Sequence, residues 1–595
     1  MSHTFHIPVL GLAYSVDTPI KVARYGISSV VSIVDDILIE RMREFYVRKS
    51  DEEFIPIDPK EIDSRSKRIK AYLNLVKKNV DKQFETLRQE EFAEGTDITR
   101  YFNLLPESSP LKIKYHLMLN ELDDEKRIAM QNELRNEIEK GEIQVNIMAK
   151  VDRMNHNTTG EQISDALSAL KGFAESDINS PVVLSAGMNP RLYSYLESFS
   201  EFLPNQSGKF EKTIILKVSD FRSALIQAKF LAKKGLWVSE FRVESGLNCG
   251  GHAFATEGYL LGPILEEFKS KKQEMIEELY QIYSKAIEEK GIQLSSIPKL
   301  KISVQGGIGT SDENDFLMKH YQLDATGWGS PFLLVPEATN VDSETLELLS
   351  MATHDDFYIS GSSPLGIPFH NFRKSTAEKE RLDRIAKGRP GSPCVKKFLS
   401  SNTEFTELPI CTASREYQNL KIKQLESEGL PADEFNKKFE EITEKLCLCE
   451  GLAAPAYLKN DILKAKESKA TVICPGPNIA YFSGKFSLDE MVSHIYGKLN
   501  LLNDLNRPNL FVNELNLYVE YLKKDISKQI QEMNDKKTRY FVKFKEQLEN
   551  GIEYYKQLIP KITDQTEVYR KKMMNELLEI EEKLQHLNPV VEQNV

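Results

Sequence analysis

TIILKVSDFRSALIQAKFLAKKGLWVSEFRV, residues 213–243, alternates two kinds of segment. Thr213–Val218 is a short, mostly apolar run, the composition of a strand covered on both faces, and Trp237–Val243 is a second strand-like segment. Asp220–Lys234 between them has the pattern of an amphipathic helix. Strand, helix and strand in that order make a parallel β-α-β unit. The same alternation runs outward in both directions. Strand-like runs lie near Ile7–Ala13, Ser28–Val34, Ile143–Ala149, Pro181–Ala186, Lys301–Gln305 and Asp324–Trp328, and Ser311–Tyr321 is another amphipathic segment. Eight such units imply an α/β chain closed into a (β/α)8 TIM barrel, with an open doubly wound sheet as the alternative.

Two regions depart from the repeat. Residues 36–139, after the second strand, are dense in Lys, Glu, Asp and Arg, and Asp63–Phe92 and Asp123–Lys140 have helical patterns. An insertion there follows a strand's C-terminal end, so it is either a lid on the barrel mouth or a solvated helical elaboration. The second region is a mainly helical tail. Leu515, Val519, Leu522, Ile526, Ile530, Met533, Tyr540, Phe544, Gly551 and Tyr555 recur near 3.5-residue spacing, interrupted at Lys537. Pro560 ends that pattern and Thr566–Leu587 supplies another helix. The row reads either as a coiled-coil homodimer arm or as helices packing back on the barrel. The expected organisation is a barrel from residues 1–35 and 140–400, an insertion over 36–139, and a Cys-containing helical region over 401–595.

The composition sets limits on function. A net charge of −11 argues against a nucleic-acid partner, which needs a basic face to neutralise phosphates. Six cysteines in 595 residues form no disulfide framework and suit a reducing compartment. MSHTFHIPVLGLAYSVD has no basic n-region, and no run of apolar residues is long enough to span a bilayer. The expectation is a cytoplasmic protein with no membrane span.

Three stretches carry chemistry. ESGLNCGGHAF, Glu244–Phe254, follows the sixth strand; adjacent glycines let the backbone approach a flat ring, and a His projecting over the barrel suits a general base. SVQGGIGT, Ser303–Thr310, follows the seventh strand and offers backbone N–H groups to a phosphate ahead of a helix N-terminus. Gly329-Ser330, in DATGWGSPFLLVPE (324–337), follows the eighth. Loops after strands seven and eight are where such barrels bind phosphate. Read alone, these glycines equally suit tight turns, and a single His is as readily structural.

Together the three stretches resemble the nitronate monooxygenase (2-nitropropane dioxygenase) family of FMN-dependent barrels, which includes flavin enoyl-thioester reductases and the reductases of polyunsaturated-fatty-acid synthases. SGLNCGGHAF is similar to the family's GxEAGGH segment, SVQGGIGT to its AAGGI phosphate loop, and DATGWGSPFLLVPE aligns without gaps to DGVQMGTRFLATEE. IPVLGLAYSVDTP (7–19), VNIM (145–148), VVLSAGMNP (182–190) and IILKVSDFRSA (214–224) resemble further family segments in the right order. The resemblance spans residues 5–35 and 140–340 and leaves out the insertion and the tail.

The resemblance implies FMN, with Gly306, Gly307, Gly329 and Ser330 on its phosphate. It also implies Gly11, Asn146, Ser185, Gly187, Lys217, Gly250 and Gly251 along the ribityl chain or ring. His252 is the implied catalytic residue. Asn248 and Cys249 depart from the family's Glu-Ala, and Ser330-Pro331 from its Thr-Arg. The implied activity is flavin redox chemistry on a small-molecule or acyl-thioester substrate. It takes one of two forms, a nitronate-type monooxygenase or an enoyl-thioester reductase of lipid or polyketide synthesis with NAD(P)H as donor. A non-catalytic barrel scaffold acting through its helical tail is the rival from another class.

The cysteines raise a separate question. Cys394, Cys411, Cys447, Cys449 and Cys474 all follow the barrel. Cys411, Cys447, Cys449 and Cys474 are candidate ligands for an iron–sulfur cluster or zinc, although their spacing matches neither signature; buried structural thiols are the other reading.

Overall fold

The computed structural model describes residues 2–148, 152, 154–156, 162–185, 187–205, 207–250, 257–503, 506–529, 534–563 and 565–587. Eight parallel strands stand at the eight expected places: β1 (Phe5–Ile7), β2 (Ser28–Ser32), β3 (Ile143–Ile147), β4 (Pro181–Leu184), β5 (Thr213–Val218), β6 (Val238–Glu244), β7 (Lys301–Gln305) and β8 (Ala325–Gly327). They pair in the order β1-β8-β7-β6-β5-β4-β3-β2, and β1 also pairs with β2. The sheet is closed, a (β/α)8 barrel. The open-sheet alternative falls, because Thr326 of β8 stands opposite Phe5 of β1 and no edge remains.

The largest shift from expectation is at β1, which ends at Ile7 rather than running to Ala13. Pro8 has no N–H for a ladder, and Gly11, at φ 91°, turns the chain aside. β3 and β4 end before Ala149 and Ala186, which lie outside the described residues.

Strand alternation sorts β6 into two faces. Phe241 and Val243 are buried in the main core, and Phe241 meets Phe268 of the helix Leu261–Glu289 at 5.9 Å between ring centroids. Glu240, Arg242 and Glu244 take the other face. The Arg242 guanidinium bonds Glu240 at 2.8 Å and crosses to Gln144 of β3 at 3.0 Å. Since β3 and β6 are not neighbours, that contact runs through the barrel interior. Ser303 of β7 donates to the same Glu240 oxygen. Val30, Val183 and Ile215, from β2, β4 and β5, form a separate apolar cluster.

The insertion packs beside the barrel. Asp35 caps the helix Asp36–Lys49 by accepting from Ile37 N and Leu38 N. The helix Ser64–Gln89 then lies against Asp165–Ala174, closest at Gly172, where a Cβ would stand 2.6 Å from the Ser66 carbonyl oxygen. The expected helices over Asp63–Phe92 and Asp123–Lys140 are Ser64–Gln89 and Asp124–Glu137.

Of the two readings of the tail, packing back is what the structure contains. Leu510–Gln529 and Asp535–Leu558 are separate helices, the second capped by Asn534. Leu515, Val519, Leu522, Phe544 and Tyr555 are buried within this chain; Ile530 and Met533 lie outside the described residues. Contacts with the barrel side use glycines. Cβ atoms on Gly246 and Gly262 would stand 2.4 Å from the rings of Tyr518 and Tyr555. Glu514, fully buried, accepts from Ser245 Oγ, Gly246 N and Leu261 N at 2.7–3.0 Å, and ties the tail to the segment after β6. Burial pushes its carboxyl above the usual range against those three donors.

Gly172→Ala is expected to destabilise the chain by about 1–3 kcal/mol through overpacking. A lower urea midpoint at unchanged slope checks this; a neutral result would mean that the two helices separate at no cost.

Candidate functional site

A cavity of about 410 Å³ opens at the C-terminal ends of the strands. Val9, Gly11 and Leu12 after β1, Ser32 of β2 and Asn146 of β3 line one side. Ser185 after β4, Lys217 of β5, Glu244 of β6 and Asn248 line the other. The cover comes from far along the chain: Ile367, Phe369, Phe398, Leu399, Leu448 and Leu452. Phe369 belongs to an antiparallel hairpin, Phe357–Ser360 with Phe369–Phe372. The arrangement is an apolar roof over a polar floor, as small-molecule sites are built.

The floor is organised by one carboxylate. Glu244 Oε1 accepts from Lys217 Nζ at 3.1 Å, Asn248 Nδ2 at 2.7 Å and Gln305 Nε2 at 2.8 Å. Gln305 Oε1 in turn lies 3.4 Å from His6 Nε2. Burial, reinforced by the charge of Arg242, holds His6 well below its ordinary pKa, so this imidazole is neutral. Asn146 differs from its neighbours. Its Oδ1 is buried at the cavity and has no hydrogen-bond partner, an acceptor that a ligand donor would satisfy.

Gly11, Asn146, Ser185, Lys217 and Gly250 therefore share one cavity. Gly187 is described, at φ 111°, but does not line it. Gly251 and His252 lie outside the described residues.

The four residues expected at the phosphate follow two paired strands, β7 and β8, yet none lines the cavity. Gly306 packs on Asn248, with a Cβ position 2.9 Å from its Cα, and Gly329 packs on Cys249, 2.4 Å from Sγ. The space above them is filled by the chain itself. A Cβ on Gly476 would stand 2.9 Å from Ser330 Oγ and 3.1 Å from Cys249 Cβ, and Gly250 N donates to Cys474 O at 3.0 Å.

The turn after β7 already holds an anion. Glu313 accepts from Gly309 N at 2.9 Å, Leu510 N at 2.7 Å and Arg507 Nη1 at 2.7 Å. Arg507 also donates to Gly307 O at 2.6 Å and to Asn478 Oδ1 at 3.0 Å. An internal carboxylate at the start of the helix Ser311–His320 thus takes a place that suits a bound anion. The ring end of an FMN site fits the residues present; the phosphate end, as the chain is arranged, does not.

Of the candidate metal ligands, Cys474 sits apart, beside Cys249 under the strap at Gly476. Cys411, Cys447 and Cys449 gather around Cys394, and Cys449 also lines the barrel cavity. Among the described residues no group of three or more His, Cys, Asp or Glu side chains is placed to hold a metal ion. Burial, with Cys474 adding to it, pushes the Cys249 thiol up to about 12, which makes it a packing residue.

Sequence reasoning missed Glu240, Arg242 and Glu244, although the signal was present. S-E-F-R-V-E places a charge at every second position of a strand, which in a parallel barrel covered by helices puts those charges on the interior face. It also missed Glu313 and Arg507, which nothing local reveals. Among the described residues no helix is long and apolar enough to cross a membrane. No family model matches the chain, and no curated protein gives a significant match.

Arg507→Met and Glu313→Gln are each expected to cost about 3–5 kcal/mol by leaving a buried partner unpaired. The double variant should cost less than the sum, read as a coupling energy in urea unfolding; simple additivity would mean that the pair does not hold the turn.

Proposed function

We propose that the chain is an oxidoreductase whose reaction takes place in the cavity at the barrel mouth, with FMN, the cofactor implied by the resemblance, as its redox group. The single observation that carries this reading is Asn146, which lines the cavity and whose buried Oδ1 has no hydrogen-bond partner, where the resemblance calls for a flavin-facing Asn. FMN supplies hydride or single-electron transfer at its ring. The residues of this chain do the rest. Asn146 offers a fixed amide to the polar edge of a flat ring, and Lys217, oriented by Glu244, adds positive charge beside it. Phe369, Phe398 and Leu448 keep water from the substrate side. His252, next in the chain but one after Gly250, is the proposed acid–base residue. The substrate is a small molecule or an acyl thioester.

A second reading is favoured by one observation. The two glycine turns are sealed by Glu313, Arg507 and the strap at Gly476, so a barrel that has given up phosphate binding and serves as a scaffold accounts for that end of the site.

Reconstitution separates the two. Titrating the full chain with FMN should give a bound flavin spectrum, and Asn146→Ala should weaken uptake by about 3–10-fold, one hydrogen bond's worth. Titration with riboflavin reports whether the phosphate is gripped. No uptake of either flavin by the unaltered chain would sink the oxidoreductase reading and support the scaffold.

If flavin binds, its electron donor divides the class. Anaerobic bleaching by NAD(P)H is the outcome expected of an enoyl-thioester reductase, and bleaching by an alkyl nitronate that of a monooxygenase. The wide roof and long C-terminal region accommodate a bulky substrate, so NAD(P)H is the expected donor; reduction by the nitronate alone would reverse that choice.

A further inference from the structure

A second cavity, of about 550 Å³, lies in the C-terminal region behind the segment 397–400 that roofs the barrel mouth, and both Cys394 and Cys411 line it. Two short segments bring them together. Ser392 N donates to Ala413 O at 3.0 Å and Arg415 N to Ser392 O at 2.8 Å, so residues 392–394 and 411–415 run side by side. The thiols of Cys394 and Cys411 lie close enough to perturb each other, with Cys447 and Cys449 nearby. Cys411 is buried and Cys394 is partly exposed, so one sulfur faces solvent and the other backs it.

Three further observations mark the place. Cys394 and Lys397 hold φ angles of 56° and 57°, a conformation that non-glycine residues adopt at a cost and that collects at functional sites. Arg389, Lys397 and Arg415 face the cavity against Glu416 alone, an excess of positive charge. Arg415, which lines the cavity, has a buried Nε without a hydrogen-bond partner.

We propose that Cys394 and Cys411 are a dithiol that reduces small anionic disulfides by thiol–disulfide exchange. The Cys394 thiolate attacks one sulfur of RS–SR, the S–S bond breaks, and RS⁻ leaves to take up a proton. Cys411, losing its own proton to solvent or to the leaving thiolate, then attacks Cys394 Sγ and expels the second RS⁻. The two cysteines give up two electrons to form their disulfide, and RS–SR accepts them to become two thiols. The asymmetry of the pair supports these roles. Contact with Cys411, helped by Ser400 and Lys397, holds the Cys394 thiol below its ordinary pKa, while the same contact and burial push Cys411 up. Cys394 is therefore the attacking sulfur and Cys411 the resolving one. This chemistry is independent of flavin binding at the barrel mouth.

The test uses the full-length reduced protein and 5,5′-dithiobis(2-nitrobenzoate), a dianionic aromatic disulfide whose released thiolate is coloured. The expected result is a fast phase that releases both halves of the reagent and leaves no label, with tryptic peptides joined through Cys394 and Cys411 in the mass spectrum. Cys411→Ser should release one half and keep the other on Cys394; Cys394→Ser should slow the fast phase at least about 10-fold. The fast phase should also persist at pH values below the ordinary thiol range. Label retained on the unaltered protein, a fast phase unchanged in Cys394→Ser, or thiols that react only after a chelator strips a bound metal would each overturn the proposal. The peptide map needs no variant, so a folding defect in either serine form leaves the answer intact.

Discussion

A guanidinium inside a closed barrel must be neutralised where it stands. Arg242 is buried in the barrel interior, bonded to Glu240 on its own strand and to Gln144 across it. Removing one partner of such a pair leaves a naked charge in a medium that solvates it poorly. The strands that supply its neighbours, β3, β6 and β7, are therefore held in one mutual register. The same alternation that points Arg242 inward carries Glu244 to the mouth two residues later. The polar floor of the cavity is an extension of the ion pair beneath it.

That geometry separates two functions that the sequence places side by side. The turns after β7 and β8 follow strands in the right positions for an anion, and the structure does place a carboxylate at the first of them. The carboxylate belongs to Glu313, and Arg507 and the strap at Gly476 close over it. The open volume lies over β1 to β6 instead, under a roof of apolar side chains. A ligand in that volume meets the amide of Asn146 and the Lys217–Glu244 pair before it meets either glycine turn.

The barrel was legible because its strands are covered on both faces and so read as continuous apolar runs between helices of another period. β5 and β7 have the bounds that the pattern gives; β1 is shorter because Pro8 and Gly11 end its ladder, a local effect that an apolar run conceals. Part of the site was legible too, since Gly11, Asn146, Ser185, Lys217 and Gly250 line one cavity. What stayed hidden was set by distance along the chain. Gly476 reaches Ser330, Arg507 reaches Gly307 and Glu514 reaches Gly246, and no window of sequence contains both ends of such a contact. The tail helices show the same limit: a row of apolar residues states that a face is buried, without stating against what.

Lys396 donates to the Asp35 oxygen that the cap of the first inserted helix leaves over, at 2.6 Å, and Phe398 and Leu399 follow it into the roof. The order of synthesis gives this latch a meaning. A ribosome that has released every barrel strand has yet to release the residues that cover their ends, because all of them lie beyond Gly327. During that interval the nascent barrel presents an apolar rim to solvent or to whatever chaperone attends it. Translation pace across residues 367–452 therefore bears on whether the chain reaches its covered form or aggregates first.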